Sequence, residues 1–261
     1  AHELAHSWSG NLVTNATWND FWLNEGFTVY FEIRIMEALY GKDRANMLAL
    51  IGRQDLEDEL AALEDSPNDT KLKLDLKGRN PDDGMNSIAY DKGYFFLRML
   101  EENIGREQFD TFLKDYFTSN AFSVMDTERF VDHLKSNLLD ETQYTALKID
   151  DWIYGAGLPD NCPSVNSDRL AKVDEAIAQW TAGALSSKDL PWNDWLYQER
   201  YRFLTNLPSE GVDAKMLKEL DEQYQITQTG NNEVLFAWLE QSILHQYDPA
   251  YDRLRSFLTD V

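Results

Sequence analysis

The sequence is poor in cysteine and in positive charge. Its 261 residues include one cysteine, Cys162, which excludes an internal disulfide and a zinc cage built from cysteines. It carries 24 Lys and Arg against 46 Asp and Glu, so its formal net charge is −22. Because such a surface repels phosphate groups, nucleic acid is not an expected partner.

Long apolar runs are also missing. No stretch approaches the roughly 18 uninterrupted apolar residues that a membrane-spanning helix needs, and no basic leader followed by an apolar segment opens the chain. We therefore expect no membrane insertion and a soluble protein, whether cytoplasmic, periplasmic or secreted. The sequence starts at Ala1 without an initiator methionine, which predicts a piece of a longer chain. The oligomeric state is left open.

The residues that are present indicate a mainly helical globular protein. Hydrophobic residues make up 43% of the sequence, enough for a core of ordinary density. Apolar residues recur at helical spacing through most of the chain, and strand-like alternation occurs only at 71–76. In the first part of the chain, the predicted helices are 21–40, 43–63, 86–104, 106–118 and 127–139.

A stretch rich in turn-forming residues divides the chain. The segment GLPDNCPSVNS contains two prolines and no periodicity, which is typical of a linker. The resulting prediction is a domain at 1–158, a linker at 159–167 and a second domain at 168–261. Amphipathic helices joined by short loops favour an α-solenoid for the second domain. Its predicted helices are 168–185, 193–206, 212–224, 231–247 and a last one from Pro249.

The first six residues contain a metal-binding pattern. His2 and His6 belong to the sequence H-E-x-x-H, and side chains four apart on a helix differ in direction by about 40°. Both imidazoles can therefore bind one tetrahedral Zn²⁺. Glu3, between them, is placed to accept a proton from water activated by the metal.

A third ligand is expected from the next helix. A catalytic zinc ion usually has three protein ligands and one open position. Glu25 follows His6 after 18 intervening residues, near the start of the predicted helix 21–40. The predicted site is therefore one Zn²⁺ held by His2, His6 and Glu25. Glu32, two helical turns further on, is a candidate for orienting a ligand histidine, with a solvated glutamate as the equal alternative.

These residues carry a resemblance to a known family. The segment HELAHSWSGNLVTNATWNDFWLNEGFTVYFE resembles the active site of the gluzincin zinc aminopeptidases, which include aminopeptidase N and leukotriene A-4 hydrolase. The tract NLVTN followed by FWLNEG is closer to the leukotriene A-4 hydrolase-like branch. The resemblance continues in SIAYDKGYFFL and DWIYGAGLP.

The resemblance implies a fold, an activity and one more site residue. The expected architecture is the helical lobe of a thermolysin-like zinc peptidase domain followed by an armadillo-like helical solenoid. The expected activity is hydrolysis of peptides at a free N-terminus, with Glu3 as the general base. Tyr90 matches the family tyrosine that stabilises the tetrahedral intermediate, which suits a phenol that stays protonated at neutral pH.

The sequence also departs from the family. The G-x-M-E-N element, whose glutamate binds the substrate ammonium group, does not occur in it. Met85 stands where the leukotriene hydrolases carry a second tyrosine, and Asp82 matches their aspartate but lies in a loop rich in turn residues. Epoxide hydrolysis is therefore not expected.

Two other classes of function stay open at this point. One is a zinc endopeptidase of the thermolysin type, which shares the three ligands but takes its oxyanion donor from a downstream histidine. The other is a zinc-binding scaffold without catalysis, although Glu3 and Tyr90 speak against it. His133 lies on a predicted amphipathic helix, and His245 ends a predicted helix, where a cation suits the helix dipole. Neither is expected to bind the metal.

Overall fold

The computed structural model describes residues 1–259, and the mainly helical prediction is confirmed over them. These residues form two compact units that divide between Asn166 and Ser167. None of the helices in the described part of the chain is long and apolar enough to cross a membrane.

The first unit contains eight α-helices and two short strands in the described residues. In chain order they are α1 (His2–Ala5), β1 (Val13–Asn15), α2 (Trp22–Tyr40), α3 (Lys42–Ala62), α4 (Gly93–Ile104), α5 (Arg106–Ser119), β2 (Ser123–Met125), α6 (Thr127–Asn137), α7 (Glu141–Ala146) and α8 (Ile149–Ile153). The strands pair in parallel, with Val13 opposite Ser123 and Asn15 opposite Met125.

Helix α2 lies at the centre of this unit. It packs against α1, α3 and α4, and the N-terminal half of the helix is buried. Trp22 and Phe27 are completely buried, and a fully buried side chain of this size contributes about 1.5–3 kcal/mol. The helix ends where Gly41 adopts φ +86°, a conformation that favours glycine.

A buried carboxylate fixes the entry to α2. Asp20 is 1% exposed and accepts hydrogen bonds from the backbone N–H and hydroxyl of Thr127, at 2.9 and 2.7 Å. Lys73 Nζ donates to the same Asp20 oxygen at 2.6 Å. Burial alone raises the pKa of Asp20, but these hydrogen bonds and one from Thr17 outweigh it and lower the pKa below its usual value.

The predicted strand at 71–76 is wrong. Leu72, Leu74 and Leu76 are buried, so the alternation correctly reports one inward face. The backbone of this segment does not pair with a strand, however: Lys73 N donates to Ile153 O, and Leu74 N donates to Asn19 O. The segment is extended chain whose backbone donates hydrogen bonds to residues outside any strand. The two strands of the described residues are β1 and β2, where the sequence shows no alternation.

The second unit is entirely helical in its described residues, from Ser167 to Thr259. Its α-helices are α9 (Asp168–Thr181), α10 (Tyr197–Thr205), α11 (Ala214–Tyr224), α12 (Asn232–Leu244) and α13 (Tyr251–Thr259). Helix α10 packs against both α9 and α12, around a core that includes Trp180, Phe203 and Trp238. All five predicted helices extend beyond the observed ones by two residues or more at one end.

Candidate metal centre

The two histidines and Glu25 come together as the sequence predicts. His2 lies in the single turn of α1 and His6 caps its end, while Glu25 lies in the first turn of α2. Glu25 Oε2 is 3.3 Å from His2 Nε2 and 3.7 Å from His6 Nε2. One ligand atom from each of the three residues can be chosen so that all lie within 4.8 Å of one another.

This donor set fits a single zinc ion. Ligand atoms bound to one tetrahedral zinc at the usual 2.0–2.1 Å lie about 3.3 Å apart. Glu25 is 6% exposed, and its Oε2 is buried without a hydrogen-bond partner among the described residues. A buried carboxylate oxygen without a donor is costly, and a cation between it and the two imidazoles removes that cost.

The other ring nitrogen of each histidine has a partner. His2 Nδ1 lies 3.1 Å from Glu32 Oε2, and His6 Nδ1 lies 2.9 Å from the carbonyl oxygen of Ser9. Because these oxygens only accept, Nδ1 carries a proton in both rings, and each Nε2 faces the carboxylate of Glu25. The carboxylates of Glu25 and then of Glu32 raise the pKa of His2 to about 9.

The support of His6 includes residues that sequence reasoning missed. The hydroxyl groups of Ser9 and Thr28 are 2.6 Å apart, and Thr28 Oγ1 lies 3.2 Å from His6 Nδ1. Thr28 is one helical turn beyond Glu25, a spacing that could have identified it. Gly10 has φ +129°, and a Cβ there would lie 3.2 Å from His6 Nδ1. Because Gly10 has no side chain, the backbone of the turn after α1 can pass close to the imidazole ring of His6.

Tyr90 also lies beside His2, although it belongs to a different element of the chain. It lies on a π-helix, Ile88–Lys92, that leads directly into α4. Its ring stacks on that of His2 at 6.1 Å and meets the edge of Phe21 at 6.0 Å. Burial, then the charge of Glu25, then that of Glu3 raise the pKa of Tyr90. The phenol therefore remains a proton donor at neutral pH.

Glu3 is exposed beside His2 and forms no hydrogen bond with the described residues. Its effect on the pKa of Tyr90 places the two side chains in one electrostatic environment. A carboxylate without a structural partner is available to exchange protons with water. Glu3, Tyr90 and the three-residue donor set thus form one cluster.

A cavity of about 610 Å³ opens beside this cluster. His2 and Tyr90 contribute to its wall, and Met85 lines it where the leukotriene hydrolases are expected to carry a tyrosine. Asp82 lies in a short 3-10 helix, Pro81–Gly84, and does not line the cavity. The space is large enough for a side chain of a peptide.

The remaining histidines lie elsewhere. His133 packs against the rings of Phe112 and Tyr116, and its Nε2 is 3.4 Å from Asp115 Oδ2. His245 follows the C-terminus of α12. Neither belongs to a group of three possible metal ligands within residues 1–259.

The helical lobe and this arrangement of donors define a metallopeptidase of one family. Residues 1–152 match the peptidase family M1 domain, and residues 195–261 match the leukotriene A4 hydrolase C-terminal domain. The chain belongs to peptidase family M1, whose members hydrolyse peptide bonds.

Similar proteins include leucine aminopeptidases and leukotriene A4 hydrolases. Leucine aminopeptidase 2 of Yarrowia lipolytica is 35% identical over 100% of this chain and 43% of its own length. The structure of native leukotriene A4 hydrolase from Saccharomyces cerevisiae matches with a TM-score of 0.86 and 31% identity, over 99% of this chain and 45% of that one. A structure of yeast leukotriene A4 hydrolase in complex with bestatin gives 0.83 and 30%, over 98% and 45%.

These matches confirm the predicted fold class, a helical peptidase lobe followed by a helical C-terminal domain. The chain spans less than half of the length of the relatives it matches.

Proposed function

We propose that the chain is the zinc-binding part of an aminopeptidase, with His2, His6 and Glu25 holding one Zn²⁺. The observation that carries this proposal is the buried, unpartnered Oε2 of Glu25, which faces the Nε2 atoms of both histidines. When bound, Zn²⁺ supplies a Lewis acid that polarises a carbonyl group and lowers the pKa of water. Family membership and the relatives named leucine aminopeptidase support the same assignment.

Glu3 is proposed as the general base. It accepts a proton from the attacking water and passes it to the leaving amine. Its exposure and its lack of a hydrogen-bond partner leave the carboxylate free for both steps. Tyr90 donates its hydroxyl proton in a hydrogen bond to the oxyanion that develops on the substrate carbonyl. The raised pKa of Tyr90 supports this role, since a donor must remain protonated.

The proposed substrates are peptides with a free N-terminus. The proposed domain limits are 1–158 for the catalytic part, 159–167 for the linker and 168–261 for the helical domain. The division of the chain into two compact units between Asn166 and Ser167 supports a boundary in this region.

The test is Glu3→Gln in the zinc-loaded protein. Hydrolysis of leucine 4-nitroanilide should fall by about 10²–10⁴-fold, while the zinc content stays at one ion per chain. Glu64→Gln is the matched control because Glu64 is exposed and is in none of the ion pairs of the described residues. Undiminished turnover of Glu3→Gln would remove the general-base assignment.

A second substrate separates exopeptidase from endopeptidase. The N-acetyl derivative of the same anilide lacks the free ammonium group that an aminopeptidase requires. We expect it to remain uncleaved. Equal cleavage of both compounds would favour the thermolysin-type alternative.

A further inference from the structure

The hydroxyl group of Tyr90 has no polar partner in the described part of the chain. Its ring packs on those of His2 and Phe21 and against the hydrophobic core of the first unit. Ring packing of this kind fixes the plane of a phenol less firmly than a hydrogen bond fixes its oxygen. The position of the hydroxyl therefore depends on the backbone that carries it.

That backbone is an irregular element between two close contacts. The π-helix Ile88–Lys92 interrupts what the sequence predicts as one regular helix, and such elements need support from their surroundings. On one side, Gly93 packs directly on Gly26 of α2. Another contact comes from Lys92.

Lys92 is completely buried. Its Nζ donates to the carbonyl oxygen of Thr70 at 2.8 Å and to that of Gly155 at 3.0 Å. Within residues 1–259, no carboxylate lies within ion-pair distance of this ammonium group. Burying an ammonium group without a carboxylate is costly, and a methionine of similar length would avoid that cost. A methionine would, however, leave the carbonyl oxygens of Thr70 and Gly155 without this donor, so the lysine specifically joins these two segments to the π-helix.

The two carbonyl groups belong to segments that are hydrogen-bonded to each other. Thr70 Oγ1 accepts a hydrogen bond from Gly157 N at 2.7 Å and donates to Pro67 O at 2.6 Å. Lys92 thus attaches the π-helix both to the 3-10 helix Pro67–Thr70 and to the segment 155–157, which are hydrogen-bonded to each other. Two residues before Lys92, the same π-helix carries Tyr90.

We propose that Lys92 is a positioning residue for Tyr90, holding the π-helix so that the phenol faces the metal centre. The inference rests on the proposed role of Tyr90 in catalysis. Lys92 does not contact the substrate and acts only through the backbone. Its loss should therefore remove the contribution of Tyr90 and leave the zinc ligands in place, because these come from α1 and α2.

The test is a double-mutant cycle of Lys92→Met with Tyr90→Phe in the zinc-loaded protein. In the wild-type background, Lys92→Met should lower kcat by about 10–100-fold, since a displacement near 1 Å is enough for such a loss. KM and zinc content should stay close to wild type. In the Tyr90→Phe background, Lys92→Met should cause no further loss of kcat. An equal loss in both backgrounds, or no loss in either, would overturn the proposal.

A matched control is Lys73→Met. Lys73 also links separate segments, through Asp20 and Glu128, but it is not attached to the π-helix. Its replacement should lower stability without the selective loss of kcat. If Lys92→Met does not fold, Thr70→Val serves instead, because it breaks the bond to Gly157 while keeping the carbonyl group that Lys92 binds. It should show the same pattern with a smaller loss, and an additive loss would count against the proposal.

Amide hydrogen exchange separates this proposal from the proposed function. Exchange in residues 88–93 should become faster in Lys92→Met while α2 keeps its protection, whether or not the protein hydrolyses the anilide. Unchanged exchange in this segment would overturn the positioning role by itself. Faster exchange in Lys92→Met together with no hydrolysis of the anilide by the zinc-loaded wild-type protein would instead count against the proposed function.

Discussion

Gly26 and Gly93 lie backbone against backbone, at the point where α2 meets the start of α4. A Cβ added to Gly93 would be 2.8 Å from Gly26 Cα, and one added to Gly26 would be 2.8 Å from Gly93 Cα. Glu25 precedes the first glycine, and the π-helix that carries Tyr90 precedes the second. The two glycines therefore set the separation between Glu25, the proposed third zinc ligand, and Tyr90, the proposed oxyanion donor.

The first prediction concerns this contact. Gly93→Ala should lower the free energy of unfolding by about 1–3 kcal/mol, because a methyl group there meets backbone atoms that cannot rotate away. Urea denaturation measures the loss. Gly230→Ala is the control, since a Cβ at Gly230 meets nothing within 4 Å. Equal stability of the two variants would mean that the helices can separate without cost.

The second prediction concerns Tyr90. Tyr90→Phe keeps the ring that packs on His2 and Phe21 but removes the hydroxyl group. We expect kcat to fall by about 10²–10³-fold, as for other oxyanion donors, with the zinc content unchanged. Steady-state kinetics and metal analysis on the same sample check both statements. A parallel loss of zinc would show that the phenol supports the metal site and does not act on the substrate.

The third prediction concerns pH. Burial, then the charges of Asp55 and Glu32, raise the pKa of Asp91 to about 8. Its folded-state pKa thus lies above the unfolded value near 4, so its stabilising contribution is complete below about pH 4 and is lost as the pH rises through 8. Asp91→Asn should therefore raise Tm at pH 8 by more than it does at pH 5.

Thermal unfolding of both proteins across this pH range measures the difference. Each kcal/mol corresponds to roughly 2–4 °C for a domain of about this size. Asp132→Asn is a control because Asp132 is exposed on α6. An Asp91→Asn effect that does not depend on pH would show that the carboxyl group is already ionised at pH 5.

The sequence was sufficient to predict that His2, His6 and Glu25 come together, and to predict the main helices. His2 and His6 are four residues apart and Glu25 follows on the next apolar helix, so local geometry brings their side chains towards one point. Helix α2 was predicted at 21–40 and is observed at Trp22–Tyr40, because its apolar residues and Gly41 mark it locally. These features depend on short-range patterns and on simple helix geometry.

The features that failed depend on contacts distant in the chain. The alternation at 71–76 reports burial of Leu72, Leu74 and Leu76 but cannot show whether another strand is available for pairing. Strands β1 and β2 pair across more than 100 residues and are only three residues long. The π-helix at Tyr90 and the bonds of Lys92 to Thr70 and Gly155 likewise arise from packing that no local pattern records.

Zinc titration of the metal-free protein, followed by calorimetry, tests the central claim most directly. Wild type and the control His133→Gln should each bind one Zn²⁺ per chain with the same affinity. Glu25→Gln should keep the fold, as shown by circular dichroism, but bind zinc at least about 100-fold more weakly, because it loses an anionic ligand. Equal zinc affinity of Glu25→Gln and wild type would contradict a metal centre formed by His2, His6 and Glu25.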